Sequence, residues 1–255
     1  MKIALASDLD GTLLIENKVP KENINSLNKL KSMGGVFIIA TGRPFNGVSS
    51  LIKNHNLDVD YNVLLNGALI MDKHENILIH KTIPFNIVNE ILSKVEKSSP
   101  LVSLETGFKT FTLKDIHEGI PYDGKVMINS LDEISDENIS LISLYFENES
   151  LDVIDNISNT INSLFSDYCI SYRNLDFIDI VPIGCSKGNG INKVCSIIDL
   201  DYNNLYTIGD SFNDVSMFNL SKNSFTFDYC EEELKNYASN IVSSVSECID
   251  NYIIK

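Results

Sequence analysis

Positive charge is scarce in this sequence. Lys and Arg number 20 against 35 Asp and Glu, which leaves a formal net charge of −15 and a pI near 4.6. A surface this acidic argues against nucleic acid as a partner, because binding a phosphate backbone needs a Lys/Arg surplus. A phosphorylated small molecule stays possible, provided a metal or a few placed basic groups supply positive charge locally. Paired cysteines are missing too. The 5 cysteines, Cys169, Cys185, Cys195, Cys230 and Cys248, are odd in number and form no Cys-x-x-Cys pair, so neither a disulfide framework nor a zinc knuckle is expected. Buried free thiols in a reducing, cytoplasmic setting are expected instead. His55, His74, His80 and His117 lack ligand spacing and read as surface residues. Long apolar runs are absent: the stretch from Met1 to Leu14 is broken by Asp8 and Asp10, unlike a secretory core, and no later segment reaches the length of a membrane span. There is no internal repeat and no low-complexity linker.

What is present is the text of a folded α/β protein. At 255 residues the chain can bury one large core, or one core and a smaller appended domain. Lys2 to Ser7 reads as a buried strand that delivers Asp8-Leu9-Asp10-Gly11-Thr12 into a turn. A helix follows from Pro20 through Ile24, Leu27, Leu30 and Met33, stopped by Gly34-Gly35. Val36 to Ala40 is the next strand, ending in Thr41-Gly42-Arg43-Pro44; Val48, Leu51 and Ile52 mark a helix, and Tyr61 to Leu65 a strand ending in Asn66-Gly67. This βαβαβ order predicts a Rossmann-like parallel sheet with covering helices. From Ile83 the pattern changes to a helix at Ile87, Ile91 and Val95, then strands near Leu101 to Glu105, Phe108 to Leu113, Lys125 to Ile128 and Leu141 to Phe146. A helix over Ile154 to Leu164 and strands at Tyr168 to Tyr172 and Phe177 to Val181 complete an α+β insert. The βα rhythm resumes at Lys187, with a helix at Ile191 to Ile198 and a strand at Leu205 to Ile208 ending in Gly209-Asp210. The expected division is a core formed by 1–82 and 184–255 around an inserted domain at 83–183.

Ligands of an open parallel sheet bind beyond the carboxyl ends of its strands, where residues distant in sequence converge. Those ends carry Asp8 and Asp10, Thr41, Asn66 and Asp210, with Asp214 one helical turn on and Lys187 opening a helix. Solvation explains polar residues at one strand end, but not three acids and a lysine gathered at several. Carboxylates so close repel, by on the order of 4 kcal/mol per pair at about 4 Å and an effective dielectric near 20, and therefore call for a cation. Oxygen ligands suit Mg²⁺, whereas zinc would want His or Cys. With that charge offset, a carboxylate in line with phosphorus can act as nucleophile and a second acid can serve the leaving oxygen and then water.

Asp8-Leu9-Asp10-Gly11-Thr12-Leu13, Thr41-Gly42-Arg43, Lys187 and Gly209-Asp210-Ser211-Phe212-Asn213-Asp214 resemble the four motifs of the haloacid dehalogenase superfamily. The place of the insert resembles the branch with a C2-type cap, and Asn66-Gly67-Ala68 with Met217 after the last motif narrows the likeness to Cof-type phosphatases. The resemblance implies Asp8 as nucleophile, and Asp10 as general acid/base through its side chain and Mg²⁺ ligand through its carbonyl. It implies Asp8, Asp210 and Asp214 at the metal, and Thr41, Gly42, Lys187 and Asn213 at the phosphoryl oxygens. One segment departs from the family pattern: Ser224 to Cys230 replaces a glycine-rich stretch, with no catalytic side chain lost.

The implied activity is Mg²⁺-dependent hydrolysis of phosphate monoesters of small metabolites, sugar phosphates or phosphorylated cofactors, through an aspartyl-phosphate on Asp8. A phosphomutase-like transferase of the same superfamily shares the first half-reaction, and a phospho-acceptor switch without turnover would use a similar acidic pocket. Asn213 and Asp214 also suit a helix cap, Asn66-Gly67 also suits a plain turn, and Arg43 faces either substrate or an acidic neighbour. Within the insert, Lys125 and Arg173 are the basic residues to test first for substrate contact, with a solvated surface charge the plainer reading of each. The sequence carries no signal of oligomeric state, and a monomer is compatible with it.

Overall fold

The computed structural model describes residues 2–113, 124–174 and 176–254; His117, read above as a surface residue, lies outside them. The first elements are β1 (Ala4–Ser7), α1 (Lys21–Ser32), β2 (Val36–Ala40), α2 (Phe45–Asn54), β3 (Tyr61–Leu64), β4 (Leu69–Asp72) and β5 (Ile77–His80). The insert follows with α3 (Phe85–Val95), β6 (Leu101–Glu105), β7 (Thr110–Thr112), β8 (Lys125–Met127), β9 (Leu141–Tyr145), α4 (Leu151–Leu164), β10 (Cys169–Asn174) and β11 (Phe177–Pro182). The chain then returns through α5 (Lys187–Ile198), β12 (Leu205–Ile208), α6 (Val215–Phe218), β13 (Asn223–Phe227), α7 (Glu232–Lys235), β14 (Asn240–Val242) and α8 (Val245–Cys248).

The larger sheet has the order β14-β13-β12-β1-β2-β3-β4-β5. Its strands from β14 to β3 run parallel, and β4 and β5 add an antiparallel edge. Continuous apolar strands suit a sheet covered on both faces. Leu5, Phe37 and Ile39 pack on one side with Leu27 and Leu30 of α1 and Val48 of α2. Ala4, Ala6, Ile38 and Ala40 pack on the other with Ile191 and Val194 of α5 and Met217 of α6.

The pairs β4/β5 and β13/β14 were not foreseen from the sequence. In the first, the turn after β4 is held by Asp72, whose Oδ1 accepts from the N–H groups of His74 (2.8 Å) and Asn76 (2.9 Å), while Ile77 and Leu78 of the edge strand stay exposed. In the second, the atypical segment supplies β13, with Phe225 and Phe227 in the core.

The smaller sheet, β10-β11-β9-β6-β7-β8, is antiparallel except for its β7/β8 pair. One face is apolar: Leu104, Phe111, Ile142, Leu144, Ile178 and Ile180 pack against Ile87 and Ile91 of α3 and Ile154 and Ile161 of α4. Its other face looks onto the carboxyl ends of the larger sheet and encloses a cavity between the two. Among the described residues no helix is long and apolar enough to cross a membrane. All 5 cysteines are free thiols, and all but Cys230 are buried. His55 is half-buried and His74 and His80 are exposed.

Candidate active site

The floor of the cavity is built from strand ends. β1 releases Asp8, whose N–H donates to the Ile208 carbonyl of β12 at 2.9 Å, so the first and last motifs are joined through the backbone. The chain turns at Gly11 with φ +77, and a Cβ there would stand 2.4 Å from Asp210 Oδ2. Only glycine permits both that backbone and that approach. Thr12 donates its hydroxyl to Asp210 Oδ1 at 2.5 Å. At Gly209 a Cβ would collide with the Asp214 carboxylate at 2.4 Å, which explains a glycine before Asp210. The helix α5, capped by the Ser186 hydroxyl accepting from Asn189 N–H, points Lys187 inward at its first turn. Its ammonium donates to Asp8 Oδ1 and to Asp214 Oδ1, both at 2.6 Å.

Asp214 caps the turn and also reaches into the acid cluster. Its Oδ2 accepts from the N–H groups of Asp210 (2.9 Å) and Ser211 (3.0 Å), capping the turn, while its Oδ1 faces Lys187. Asp8 and Asp214 are buried with the lysine, at 4%, 0% and 2% exposure. Burial drives the Asp8 carboxyl well above the usual carboxylate range; Lys187 opposes this, and Asp214 and Asp210 add repulsion. Asp210 rises for the same reasons, burial first and then Asp214, with the Thr12 hydroxyl opposing. Burial alone would lower the Lys187 ammonium, but Asp214 and Asp8 outweigh it and keep it protonated.

Three carboxylates against one lysine leave two uncompensated negative charges. Asp8, Asp210 and Asp214 each offer an oxygen within 4.8 Å of the others. An all-oxygen donor set with two surplus charges fits a hard divalent cation such as Mg²⁺.

Asp8, Asp10, Thr41, Gly42, Lys187, Asp210 and Asn213 line one cavity of about 460 Å³, and Asp214 lies beneath it. Asp10 turns its half-exposed carboxylate away from the acid cluster and toward Arg43, which grips it in a bidentate pair, Nε to Oδ2 at 2.7 Å and Nη2 to Oδ1. Of the alternatives for Arg43, the acidic neighbour is the one observed. Thr41 Oγ1 accepts from Arg43 N–H at 3.2 Å, and Asn213 Oδ1 accepts from the Ser211 hydroxyl at 2.6 Å. Asn66 is buried in the left-handed region (φ 49) and donates from Nδ2 to Asp179 Oδ2 at 3.1 Å, tying the end of β3 to the smaller sheet. Lys125 lines the cavity, whereas Arg173 pairs with Asp155 at 2.5 Å beside a neighbouring depression.

The roof was missed. Strand register aligns Thr112, Ser103, Ser143 and Asp179 in one row across β7, β6, β9 and β11. A second row runs Lys125, Thr110, Glu105 and Leu141 across β8, β7, β6 and β9, and both rows face the cavity. The signal was present in Leu-Val-Ser-Leu-Glu, Leu-Ile-Ser-Leu-Tyr and Phe-Ile-Asp-Ile-Val, three strands with a polar residue at the third position and, in the first, Glu105 on the same face at the fifth.

Comparison with known proteins shows the family and the fold. The profile of the haloacid dehalogenase-like hydrolase family matches residues 5–250. The chain is 24% identical over 278 residues to the 5-amino-6-(5-phospho-D-ribitylamino)uracil phosphatase YwtE of Bacillus subtilis, a match that takes in 95% of this chain and 93% of that one. A solved haloacid dehalogenase-like hydrolase from B. subtilis has the same fold, with a TM-score of 0.87 at 20% identity over 98% of this chain and 99% of the other. A subclass IIB sugar phosphatase gives a TM-score of 0.85 at 20% identity over 99% and 100%.

Proposed function

Because the chain belongs to the haloacid dehalogenase-like hydrolases, we propose that it is a phosphatase of small phosphorylated metabolites that works through an aspartyl-phosphate on Asp8. The observation that carries this is Asp8 at the floor of the cavity, paired with Lys187 and within 4.8 Å of Asp210 and Asp214. The names of YwtE and of the sugar phosphatase support the substrate class. In this reading 83–183 is the cap and 1–82 with 184–255 the catalytic core. The free thiols suit a reducing, cytoplasmic setting.

In the first step an oxygen of Asp8 attacks phosphorus as the bond from phosphorus to the leaving oxygen breaks, and Asp10 gives that oxygen its proton. In the second, Asp10 takes a proton from water, whose oxygen attacks the phosphoryl group and returns Asp8 as a carboxylate with free phosphate. Lys187, Thr41, Gly42 and Asn213 hold the phosphoryl oxygens. Asp8, Asp210, Asp214 and the Asp10 carbonyl would hold Mg²⁺, which supplies positive charge to offset the approach of a phosphate dianion to a carboxylate. Since Arg43 grips the Asp10 carboxylate, proton delivery requires that pair to open.

Purified protein with Mg²⁺ is expected to hydrolyse p-nitrophenyl phosphate, and EDTA to stop it. Asp8→Asn should lower kcat by roughly ten-thousand-fold or more, as removal of a nucleophile does. Undiminished turnover in that variant refutes the mechanism.

A further inference from the structure

The roof carries two carboxylates that phosphoryl transfer does not use. Glu105 is buried, and its two oxygens accept from the hydroxyls of Ser103 (3.3 Å) and Thr110 (2.6 Å). Asp179 accepts from Ser143 at 2.9 Å and from Asn66 at 3.1 Å. Its Oδ2 stands 3.1 Å from where a Cβ on Gly42 would be, beside the floor. Resting on the phosphatase reading above, we propose that Glu105 and Asp179 select the leaving group: the site takes esters whose alcohol brings hydroxyl or ammonium donors, and rejects esters whose alcohol bears a carboxylate or second phosphate.

The argument is one of donors and charge. An ionised carboxylate is acceptor-only, with about four lone-pair sites. The neutral donors of the roof take two on each residue, which fixes their direction and leaves the remainder for a ligand. A polyol or an amine satisfies such acceptors. A second anion brings more acceptors and like charge into a confined cavity, where repulsion is screened less than in bulk water. Burial moves the Glu105 carboxyl up to about 7, against its Ser103 and Thr110 donors, so its charge develops within the working pH range. Of the basic groups on the wall, Lys187 is hydrogen-bonded to Asp8 and Asp214 and acts on Asp179 through charge without an ion pair. Arg43 holds Asp10, and Lys125 stands on β8, two strands from Glu105.

The test is kcat/KM of the wild-type enzyme with Mg²⁺ on glucosamine 6-phosphate, glucose 6-phosphate and 6-phosphogluconate, with p-nitrophenyl phosphate as reference. The gluconate ester is expected at least about tenfold below glucose 6-phosphate, since juxtaposed like charges disfavour the wrong partner by that much or more, and the amino ester at least equal to it. In Glu105→Gln and in Asp179→Asn the gap should narrow by roughly threefold or more. A gluconate ester equal to or better than the neutral one, as Lys125 would favour, overturns the proposal, and so does a gap unmoved in both folded variants. If the variants do not fold, the wild-type series decides alone. Turnover of p-nitrophenyl phosphate with none of the hexose esters overturns the selection but not the phosphatase reading; no turnover of any ester sinks both.

Discussion

The floor and the roof of the cavity hold their acids by opposite means. On the floor, Asp8 and Asp214 meet a buried ammonium at 2.6 Å. On the roof, Glu105 and Asp179 accept hydrogen bonds from three hydroxyls and one amide at 2.6 to 3.3 Å, with no ion pair to either among the described residues. The floor residues stand at the ends of strands covered on both faces, so their backbone is fixed by the core. The roof residues occupy the cavity face of a sheet whose opposite face carries the apolar core of the insert. The difference separates two tasks. In the proposed function, the lysine-paired acid cluster handles the part common to every substrate, the phosphoryl group. A lattice of neutral donors around carboxylates can be rewritten one residue at a time, leaving that cluster intact.

Removing the lysine breaks the floor most severely. Lys187→Met would leave two buried carboxylates without their cation, and loss of one partner of a buried pair typically destabilises by about 3–5 kcal/mol. Urea unfolding should show a loss of that size near neutral pH. It should shrink as pH falls and Asp8 takes up a proton, because burial and repulsion from Asp214 and Asp210 already favour its neutral form. A variant as stable as wild type would mean that the lysine does not balance the cluster, and the contrast with the roof would fail.

The same contrast explains what was legible in the sequence. Floor residues come in local strings at strand ends, Asp8 to Leu13 and Gly209 to Asp214, and the rule that strand ends converge assembles them without knowledge of register. Glu105 and Asp179 lie 74 positions apart, each the one acid of its strand. Only the pairing of β9 with both β6 and β11 brings their strands into one sheet, one on either side of β9, and one sequence does not specify which strands pair. Choosing roof candidates by charge favoured Lys125 and Arg173. Arg173 is engaged by Asp155 at the far edge of that sheet. The β13 strand went unread because its segment was weighed as a departure from a motif rather than as alternating text, although Phe225 and Phe227 both point into the core.

Glu105→Gln sharpens the comparison from the roof side. The Glu105 carboxyl rises from 4.5 to about 7 on folding, with burial the main cause. The folded state therefore keeps a proton that the unfolded chain releases, and stability falls as pH rises from 4.5 toward 7. At 1.36 kcal/mol per unit, the full effect is at most about 3 kcal/mol. Thermal melts of wild type and variant at pH 5 and pH 8 should show the variant gaining on wild type as pH rises, since glutamine has no charge to bury. The reverse trend would mean that the roof stabilises its anion, as the floor does with Lys187. Asp179 is shifted in the same direction, by burial first, so Asp179→Asn should show the same sign.

The smallest effect is expected where the atypical segment touches the floor. The Tyr229 hydroxyl donates to the Gly11 carbonyl at 2.5 Å, and its ring stacks on Phe227 with centroids 4.9 Å apart. The side chain is exposed, so water competes for that carbonyl. Tyr229→Phe keeps the stacking and removes only the hydrogen bond, which at an exposed position is worth about 0.5 kcal/mol, the low end for such bonds. Gly11 is already held between its left-handed backbone and Asp210, so the floor does not depend on the tyrosine for its shape. Activity on p-nitrophenyl phosphate should change by less than about threefold, the rate equivalent of that energy. A tenfold loss of kcat at unchanged KM would instead make the 224–230 segment a structural member of the floor, with the Asp8 to Thr12 turn held by a strut that the buried charges alone do not replace.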